Sequence, residues 1–529
     1  MRSAEVTVVG PIDLDALTLD DVRGGAFAGR PVTVLGLARS GVALARFLHD
    51  AGARVTVYDG RSATRLERSI GLLGARDVAL RLGPDVDPAS TWAGASLVAT
   101  SPSITPDFPT TEPVLRAALQ ALVAARGRGE AGAPALVSES DLFLRLCPAP
   151  TIGVTGTKGK TTTASLAHAI LAADPIHPAV LGGNIGTPLV ERLPELTPDH
   201  RVVVELSELQ LPALSRGTTV AVYTNVTSDH LDRHGSVDAY RRVKRRLAEL
   251  VDPDGALVLN LEDPVVGAYA GLGTAPAVLY RDDRPVPGGL GVVDEWIVSA
   301  AVERLPLAGG GVAQAGPGGG IMPVAELGIP GRHNVLNALA AISVGLLFGV
   351  APDAIRRAAQ SFTGVEHRLQ SVGLVDGVRF VNDSQGTQPD AVIAAMRAFP
   401  APVVLIAGGR DKGVDLGELA RVVAGTAHAA VLIGESGPTL ERLFREAGLA
   451  RTTRAATMDE AVSTAAAIAR GALADAPEGT VATVVLSPAA ASFDMFEDYA
   501  ARGRAFVEAV GRVAAATRRD PGTSDGRPG

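Results

Sequence analysis

The chain has 529 residues and a net charge of −8, from 57 acidic against 49 basic side chains, which excludes the basic face a general nucleic-acid binder needs. Its one cysteine, Cys147, excludes an internal disulfide framework and a cysteine-rich metal site. The start, Met1–Glu5, has no apolar leader and no uncharged apolar run reaches ~18 residues, so a soluble cytoplasmic protein without membrane insertion is expected.

On the usual length prior the chain should hold about three domains. With 47% hydrophobic residues but only 4% aromatics, their cores should be built from Ala, Val and Leu. The segment from Pro31 to Gly41 reads as a buried strand entering a glycine turn, followed by a helix over 42–51. A second strand ends at Asp59, where a dinucleotide-type fold places an acid beside a ribose or base. Gly36 and Gly41 are present and the middle glycine is not, so an ordinary strand–turn–helix unit competes with that reading. A third strand over 95–100 ends in Ser101-Pro102-Ser103, small polar residues suited to a ligand crevice. The gly- and charge-rich stretch 126–134 predicts a loop near the end of this first domain, 1–148.

The central domain, 149–362, opens on Thr151–Thr162, which predicts strand, glycine turn and helix. Such a turn aims backbone N–H groups and a helix dipole at one anion. Lys160 would reach the β/γ-phosphates of a nucleoside triphosphate and the Thr161 hydroxyl would hold Mg²⁺. Val154 stands where the strict phosphate-loop pattern has glycine, so a glycine-rich turn with a chance lysine is the competing reading. Three later strand ends carry polar groups: Asn184 in a Gly-rich turn, Glu205, and the run from Thr224 to His234. Glu205 and His230 are candidate Mg²⁺ ligands, against the alternative of plain capped strand ends. The basic run Arg241–Arg246 reads as a solvated helix face and 309–320 as a loop or hairpin tip. Asn334 and Asn337 lie one helical turn apart, able to read a heterocycle edge or to serve as a cap and a surface amide.

In the third domain, 363–516, strand, polar turn and helix recur over 380–389, 402–413 and 481–494. That alternation predicts a parallel sheet with helices on both faces. The polar tail 517–529 is expected to be disordered.

Nine of these stretches, in this order, resemble the Mur ligases: GVTGTKGKTT (153–162), GGNIG (182–186), ELSELQL (205–211), TNVTSDHLDRHGSVDAYRRVK (224–244), GRHNVLNA (331–338), HRLQ (367–370), NDSQGTQP (382–389), AGGRDKG (407–413) and LSPAAASFD (486–494). The last of them and NDSQGTQP are similar to the members that add D-glutamate. The resemblance implies an α/β protein of three domains: an N-terminal Rossmann-like UDP-binding domain, a central P-loop mononucleotide-binding ATPase domain and a C-terminal Rossmann-like domain. It implies an ATP-dependent amide ligase that adds D-glutamate to UDP-N-acetylmuramoyl-L-alanine through an acyl phosphate in cytoplasmic peptidoglycan precursor synthesis. A monomer is expected.

The resemblance also assigns residues. Gly156, Thr157, Lys158, Gly159, Lys160, Thr161 and Thr162 would bind ATP, with Asn334 and Asn337 facing adenine and Arg368 and Asp383 reaching from the third domain. Thr161, Glu205 and His230 would hold Mg²⁺. A lysine at the place of Lys244 is carbamylated in the family and binds a second Mg²⁺, whereas the residues alone make Lys244 a surface lysine. Asn184 would contact the substrate beside the reacting carboxylate. Gly36, Arg39, Ser40, Gly41, Asp59, Arg61 and Ser101 match the uridine-diphosphate region. Thr387, Lys412, Ser492 and Tyr499 match positions that hold glutamate. Gln385 replaces the lysine of NDSKAT and Glu208 replaces a serine of ELSSFQL, placing an extra carboxylate near the magnesium edge. These departures leave L-glutamate open as the substrate, and a folylpolyglutamate-type ligase shares the phosphate loop. The broken glycine code argues against an NAD-linked dehydrogenase. Glu205, His230 and Lys244 together argue against a non-catalytic nucleotide switch.

Overall fold

The computed structural model describes residues 10–519, apart from 110, 228–230, 330, 412–413 and 475. The chain forms two units, Met1–Phe362 and Thr363–Gly529. The first sheet of the first unit contains β1 (Pro31–Leu35), β2 (Arg54–Asp59), β3 (Ala79–Leu82), β4 (Leu97–Thr100) and β5 (Ala135–Ser138). All pairs are parallel, in the order β3-β2-β1-β4-β5. Val32 and Val34 of β1 pack with Phe27, Leu44 and Leu48 on one face, while Leu35 packs with Tyr58 and Trp92 on the other. Burial on both faces is why this strand reads as a continuous apolar run. The strand order reverses between β1 and β4, and a doubly wound sheet opens its ligand crevice at such a switch point. Gly36 follows β1 and Ser101 follows β4 there.

The second sheet has nine strands: β6 (Thr151–Thr155), β7 (Ala179–Gly183), β8 (Arg201–Glu205), β9 (Val220–Tyr223), β10 (Ala256–Asn260), β11 (Ala277–Tyr280), β12 (Leu290–Val293), β13 (Trp296–Ser299) and β14 (Gly320–Pro323). Their order is β14-β13-β12-β11-β10-β9-β6-β8-β7, so β6 is flanked by β8 and β9. The pairs from β7 to β12 are parallel, and β12, β13 and β14 form an antiparallel meander. The expected loop 309–320 lies between β13 and β14, its last residue opening β14. Helix Lys160–Ala172 packs against helix Arg332–Leu347 through small residues, Ala164 and Ala167 facing an interior shared with Ala338 and Ala341. Gly345 permits the close approach, since a Cβ there would meet Ile170.

The second unit holds β15 (Gln370–Val375), β16 (Val378–Asn382), β17 (Val403–Gly408), β18 (Ala429–Ile433), β19 (Thr452–Arg454) and β20 (Ala482–Leu486). They run in the order β15-β16-β20-β17-β18-β19, parallel except for the β15–β16 hairpin. The α/β class expected from the sequence therefore holds in all three sheets. One expectation fails at its edge. Helix Tyr499–Arg519 runs three residues into the tail expected to be disordered from Thr517, because Ala514–Ala516 and the arginines after them favour helix. Among the described residues no helix is long and apolar enough to cross a membrane.

Candidate functional site

At the carboxyl edge of the second sheet, β6 runs into Gly156 (φ 147°) and Gly159 (φ 84°), and the helix starts at Lys160. Gly159 caps that helix without any side-chain bond, so its first-turn N–H groups are left for an anion. The end of β9 holds the loop. Thr157 N–H donates to the Asn225 carbonyl at 2.8 Å and Lys158 N–H to Asn225 Oδ1 at 2.9 Å. The Thr224 hydroxyl donates to the Lys158 carbonyl at 2.6 Å, and a Cβ at Gly156 would run into that hydroxyl. Lys160 Nζ donates to the Gly156 and Thr157 carbonyls at 3.1 and 2.9 Å, which parks the ammonium over the turn it would share with a phosphate. Thr161 is buried beside it and Thr162 is half-buried.

Next to this loop β8 ends at Glu205, 1% exposed. Asn184 donates to Glu205 Oε1 from Nδ2 at 2.8 Å and to the Glu205 carbonyl from its backbone at 2.9 Å. Glu205 Oε2 is buried without a hydrogen-bond partner among the described residues. Lys244 is not on the solvated face: Arg241, Arg242 and Arg245 are exposed, while Lys244 is 0% exposed. Its Nζ donates to Thr155 Oγ1 at 3.2 Å and lies 5.6 Å from the Tyr240 ring. The surface reading of Lys244 fails because it shares the helix face of Tyr240 and Leu247, which packs inward. His230 lies outside the described residues.

Among the described residues no three His, Cys, Asp or Glu side chains gather around one point. The orphaned carboxylate oxygen of Glu205 and the Thr161 hydroxyl are the oxygen donors that Mg²⁺ prefers when phosphates fill its remaining positions. These residues fit that ion. Asn334 and Asn337 share a face as expected, but Asn337 is buried and committed. Its Nδ2 donates to Asn334 Oδ1 at 3.0 Å, and its Oδ1 accepts from the Thr163 hydroxyl at 3.2 Å. A Cβ on Gly159 would sit 2.5 Å from the same Oδ1, so Asn337 backs the phosphate loop.

At the switch point of the first sheet, Leu37 N–H donates to Asp59 Oδ2 at 2.8 Å. Arg61 clasps the same carboxylate, Nε to Oδ1 at 2.9 Å and Nη2 to Oδ2 at 2.7 Å. Burial pushes the Asp59 carboxyl up, but the Arg61 side chain and the Leu37 and Arg61 N–H groups outweigh it and hold it below the usual range. A cavity of about 460 Å³ lies here, lined by Gly36, Asp59, Arg61 and Ser101, and from the second sheet's loops by Leu209 and Arg233. Gly41 packs behind it, where a Cβ would meet the Gly36 carbonyl, and Ser40 is half-buried. Arg39 turns instead to the Asn184 loop, donating to the Gly186 carbonyl at 3.0 Å and the Asn184 carbonyl at 3.4 Å. Glu208 does not stand free at the magnesium edge, since it pairs with Arg233 at 2.8 Å.

In the second unit, the turn after β16 carries Asp383. Its Oδ2 accepts from the Ser487 hydroxyl at 2.6 Å and its Oδ1 from Leu369 N–H at 3.1 Å. Burial raises this carboxyl to about 6, against those two bonds and the charge of Arg368. Thr387 is half-buried on the same turn, its N–H on the Gln385 carbonyl at 2.7 Å. Ser492 is buried, its carbonyl accepting from the Met495 and Phe496 N–H groups. The Tyr499 carbonyl takes the Ser384 hydroxyl at 2.7 Å. Lys412 lies outside the described residues. Arg502, which no motif singles out, is fully buried among these turns. A lone arginine in a helix carries no pattern to mark it.

Residues 154–345 match the Mur ligase middle domain and residues 367–488 the Mur ligase, glutamate ligase domain. The chain is 38% identical to the UDP-N-acetylmuramoylalanine–D-glutamate ligase of Symbiobacterium thermophilum over 479 residues, covering 90% of this chain and 97% of that one. It is 35% identical to the protein of the same name from Desulfitobacterium hafniense, with 91% and 98% covered. Among solved structures, MurF from Acinetobacter baumannii is 15% identical, covers 93% of this chain and 98% of that one, and gives a TM-score of 0.48.

Proposed function

The chain belongs to the Mur ligases, and from that membership we infer that it adds D-glutamate to UDP-N-acetylmuramoyl-L-alanine with ATP, forming an amide in peptidoglycan precursor synthesis. The observation that carries this is the convergence at one sheet edge of an uncapped phosphate loop with Lys160, the Asn184–Glu205 pair and the buried Lys244. ATP supplies the phosphoryl group that activates the substrate carboxylate, and Mg²⁺ neutralises the charge on its phosphates.

Lys160 and the N–H groups of the first helical turn would bind the β/γ-phosphates, with Thr157, Lys158 and Thr162 completing the loop. Thr161, Glu205 and His230 would hold the first Mg²⁺, and Lys244, as a carbamate, the second. Asn184, with one amide hydrogen fixed on Glu205, has its other hydrogen for the acyl oxygen of the substrate. In the second unit Arg368 and Asp383 would engage ATP. Thr387, Lys412, Ser492 and Tyr499 would hold glutamate so that its amine attacks the acyl phosphate, and the tetrahedral adduct collapses to amide and phosphate. The protein's contribution is position and fixed charge. In this reading the chain has three working parts: a UDP-binding domain over 1–148, an ATP-binding domain over 149–362 and a glutamate-binding domain over 363–516. We assign the protein to the cytoplasm as a monomer.

The test is phosphate release from ATP by the purified protein with Mg²⁺, UDP-N-acetylmuramoyl-L-alanine and either enantiomer of glutamate. Release with D-glutamate alone is expected. Release with L-glutamate alone would keep the reaction and change its substrate, and release only with a folate acceptor would overturn the assignment.

A further inference from the structure

The second-sheet element that borders the cavity lined by Asp59 and Arg61 carries an arginine to which neither its motif, 224–244, nor the proposed reaction has given a role. Arg233 lies in the short helix Leu231–His234, its side chain 19% exposed, with Nη1 donating to Glu208 Oε1 at 2.8 Å. The neighbouring His234 ring packs edge-on against Phe108 and Tyr240, each at 5.3 Å. Phe108 belongs to the segment after β4 that supplies Ser101, Ser103, Ile104 and Thr111 to the cavity wall. The two aromatic contacts of His234 hold this short helix beside that wall, and the ion pair with Glu208 holds the Arg233 side chain.

A guanidinium offers five N–H donors in one plane. Arg61, the other arginine lining the cavity, commits Nε and Nη2 to Asp59. Among the described residues Arg233 commits only Nη1, and its Nε is buried without a hydrogen-bond partner. The Ser101 hydroxyl, also of the lining, is likewise buried and unpartnered. Buried polar atoms are almost always satisfied, so two orphans on one cavity mark the place of a polar ligand. Their chemistry, a cation with spare donors and a hydroxyl, suits phosphate oxygens.

We propose that Arg233, held in place by Glu208, binds the diphosphate of the nucleotide-sugar substrate from the side of the second sheet. The proposal rests on the reading that this cavity takes a UDP-linked substrate. Glu208 is then a positioning residue, and its replacement of the usual serine makes the diphosphate contact more rigid in this chain. Because the same inter-strand segment begins with Thr224 and Asn225, which hold the phosphate loop, a substrate seated on Arg233 is also registered against the ATP site.

Direct titration with UDP tests this without requiring turnover. Arg233→Met should weaken UDP binding about tenfold, the worth of one charge-assisted contact, and leave uridine binding unchanged. KM for the nucleotide-sugar should rise by the same factor while KM for ATP and glutamate stays put. Glu208→Gln should give a smaller loss, and the double variant Glu208→Gln/Arg233→Met should match Arg233→Met alone. Unchanged UDP affinity in a folded Arg233→Met protein, or full recovery in the double variant, would overturn the proposal, the second by tracing the loss to a stranded Glu208 carboxylate. Loss of UDP affinity in a protein whose wild type ligates no glutamate would sustain this contact and sink the ligase reading instead.

Discussion

The Arg502 guanidinium holds Ser384 from two sides, donating from Nε to its hydroxyl at 3.0 Å and from Nη2 to its carbonyl at 2.9 Å. Its third arm, Nη1, reaches the Ala490 carbonyl at 3.2 Å. A Cβ on Gly409 would come within 3.1 Å of the same nitrogen. One side chain thus fastens the turns after β16 and β20 and underlies the turn after β17. Burial lowers its pKa to about 10, against the nearby Asp494, so it stays charged at neutral pH.

Arg502→Ala should loosen the turns that carry Thr387 and Ser492. It leaves buried carbonyls without donors, at about 1–3 kcal/mol for each such group. Steady-state kinetics should find a raised KM for glutamate and an unchanged KM for the nucleotide-sugar, with part of the loss recovered by millimolar guanidinium chloride. Arg502→Lys should not restore it, since a point ammonium cannot reproduce the fork. An unchanged glutamate KM would reduce Arg502 to scaffold.

The Asp383 carboxyl gives the second unit a pH dependence of defined sign. Its pKa is raised from 3.8 to about 6, so between those values the folded state binds more protons than the unfolded state. Stability contributed here is present below about pH 4 and is lost as pH rises through 6. At neutral pH the buried charge costs on the order of 2–3 kcal/mol. Asp383→Asn removes the buried charge but keeps an acceptor for only one of Ser487 and Leu369 N–H, so its Tm relative to wild type should be higher at pH 7.5 than at pH 4, while ATP binding weakens. A Tm difference independent of pH would refute the assignment.

Lys160→Ala should leave the fold intact and lower turnover at least about 100-fold, the scale set by removing one charge-stabilising donor. Two of the lysine's bonds are to the Gly156 and Thr157 carbonyls of its own turn. Gly156→Ala is the structural counterpart: at φ 147°, with Thr224 and Asn225 against the missing Cβ, it should damage both folding and ATP binding. ATP titration with unfolding curves separates the two.

What the sequence made legible was the set of buried parallel strands and the turns that follow them. β1, β6, β8, β9, β16, β17 and β20 are apolar runs ending in Gly, Asn, Ser or acid, a signal local enough to read by eye. β3 escaped because it is four residues long with only intermediate or exposed positions. The meander β12–β14 escaped because its strands are short and glycine-rich around one exposed Trp296. Within the site, Lys160, Glu205 and Asn184 were legible as motif positions. Arg502, Arg233 and the inward turn of Lys244 were not, because each depends on a partner far away in the chain: Ala490 and Ser384, Glu208, and Thr155. Asn337 was read as sharing a face with Asn334, and the two bond within one helix, but its hydrogen bond to Thr163 could only come from the packing of two helices.

Lys244 offers the sharpest test of the metal chemistry. Its Nζ donates to Thr155 Oγ1, and that hydroxyl donates at 2.8 Å to the carbonyl of Leu206, the residue after Glu205. A carboxylate carried on Nζ would therefore stand beside the edge that holds the orphaned Glu205 oxygen. Lys244→Ala should lose turnover at least about 100-fold, as expected when fixed charge is removed from a phosphoryl-transfer site. Acetate or formate at high concentration should restore part of it by entering the vacated space, and chloride at equal ionic strength should not. If chloride restores as much as acetate, the effect is ionic strength and no carboxylate is needed at Nζ. If the variant loses nothing, Lys244 is a buried structural lysine and the carbamate reading falls.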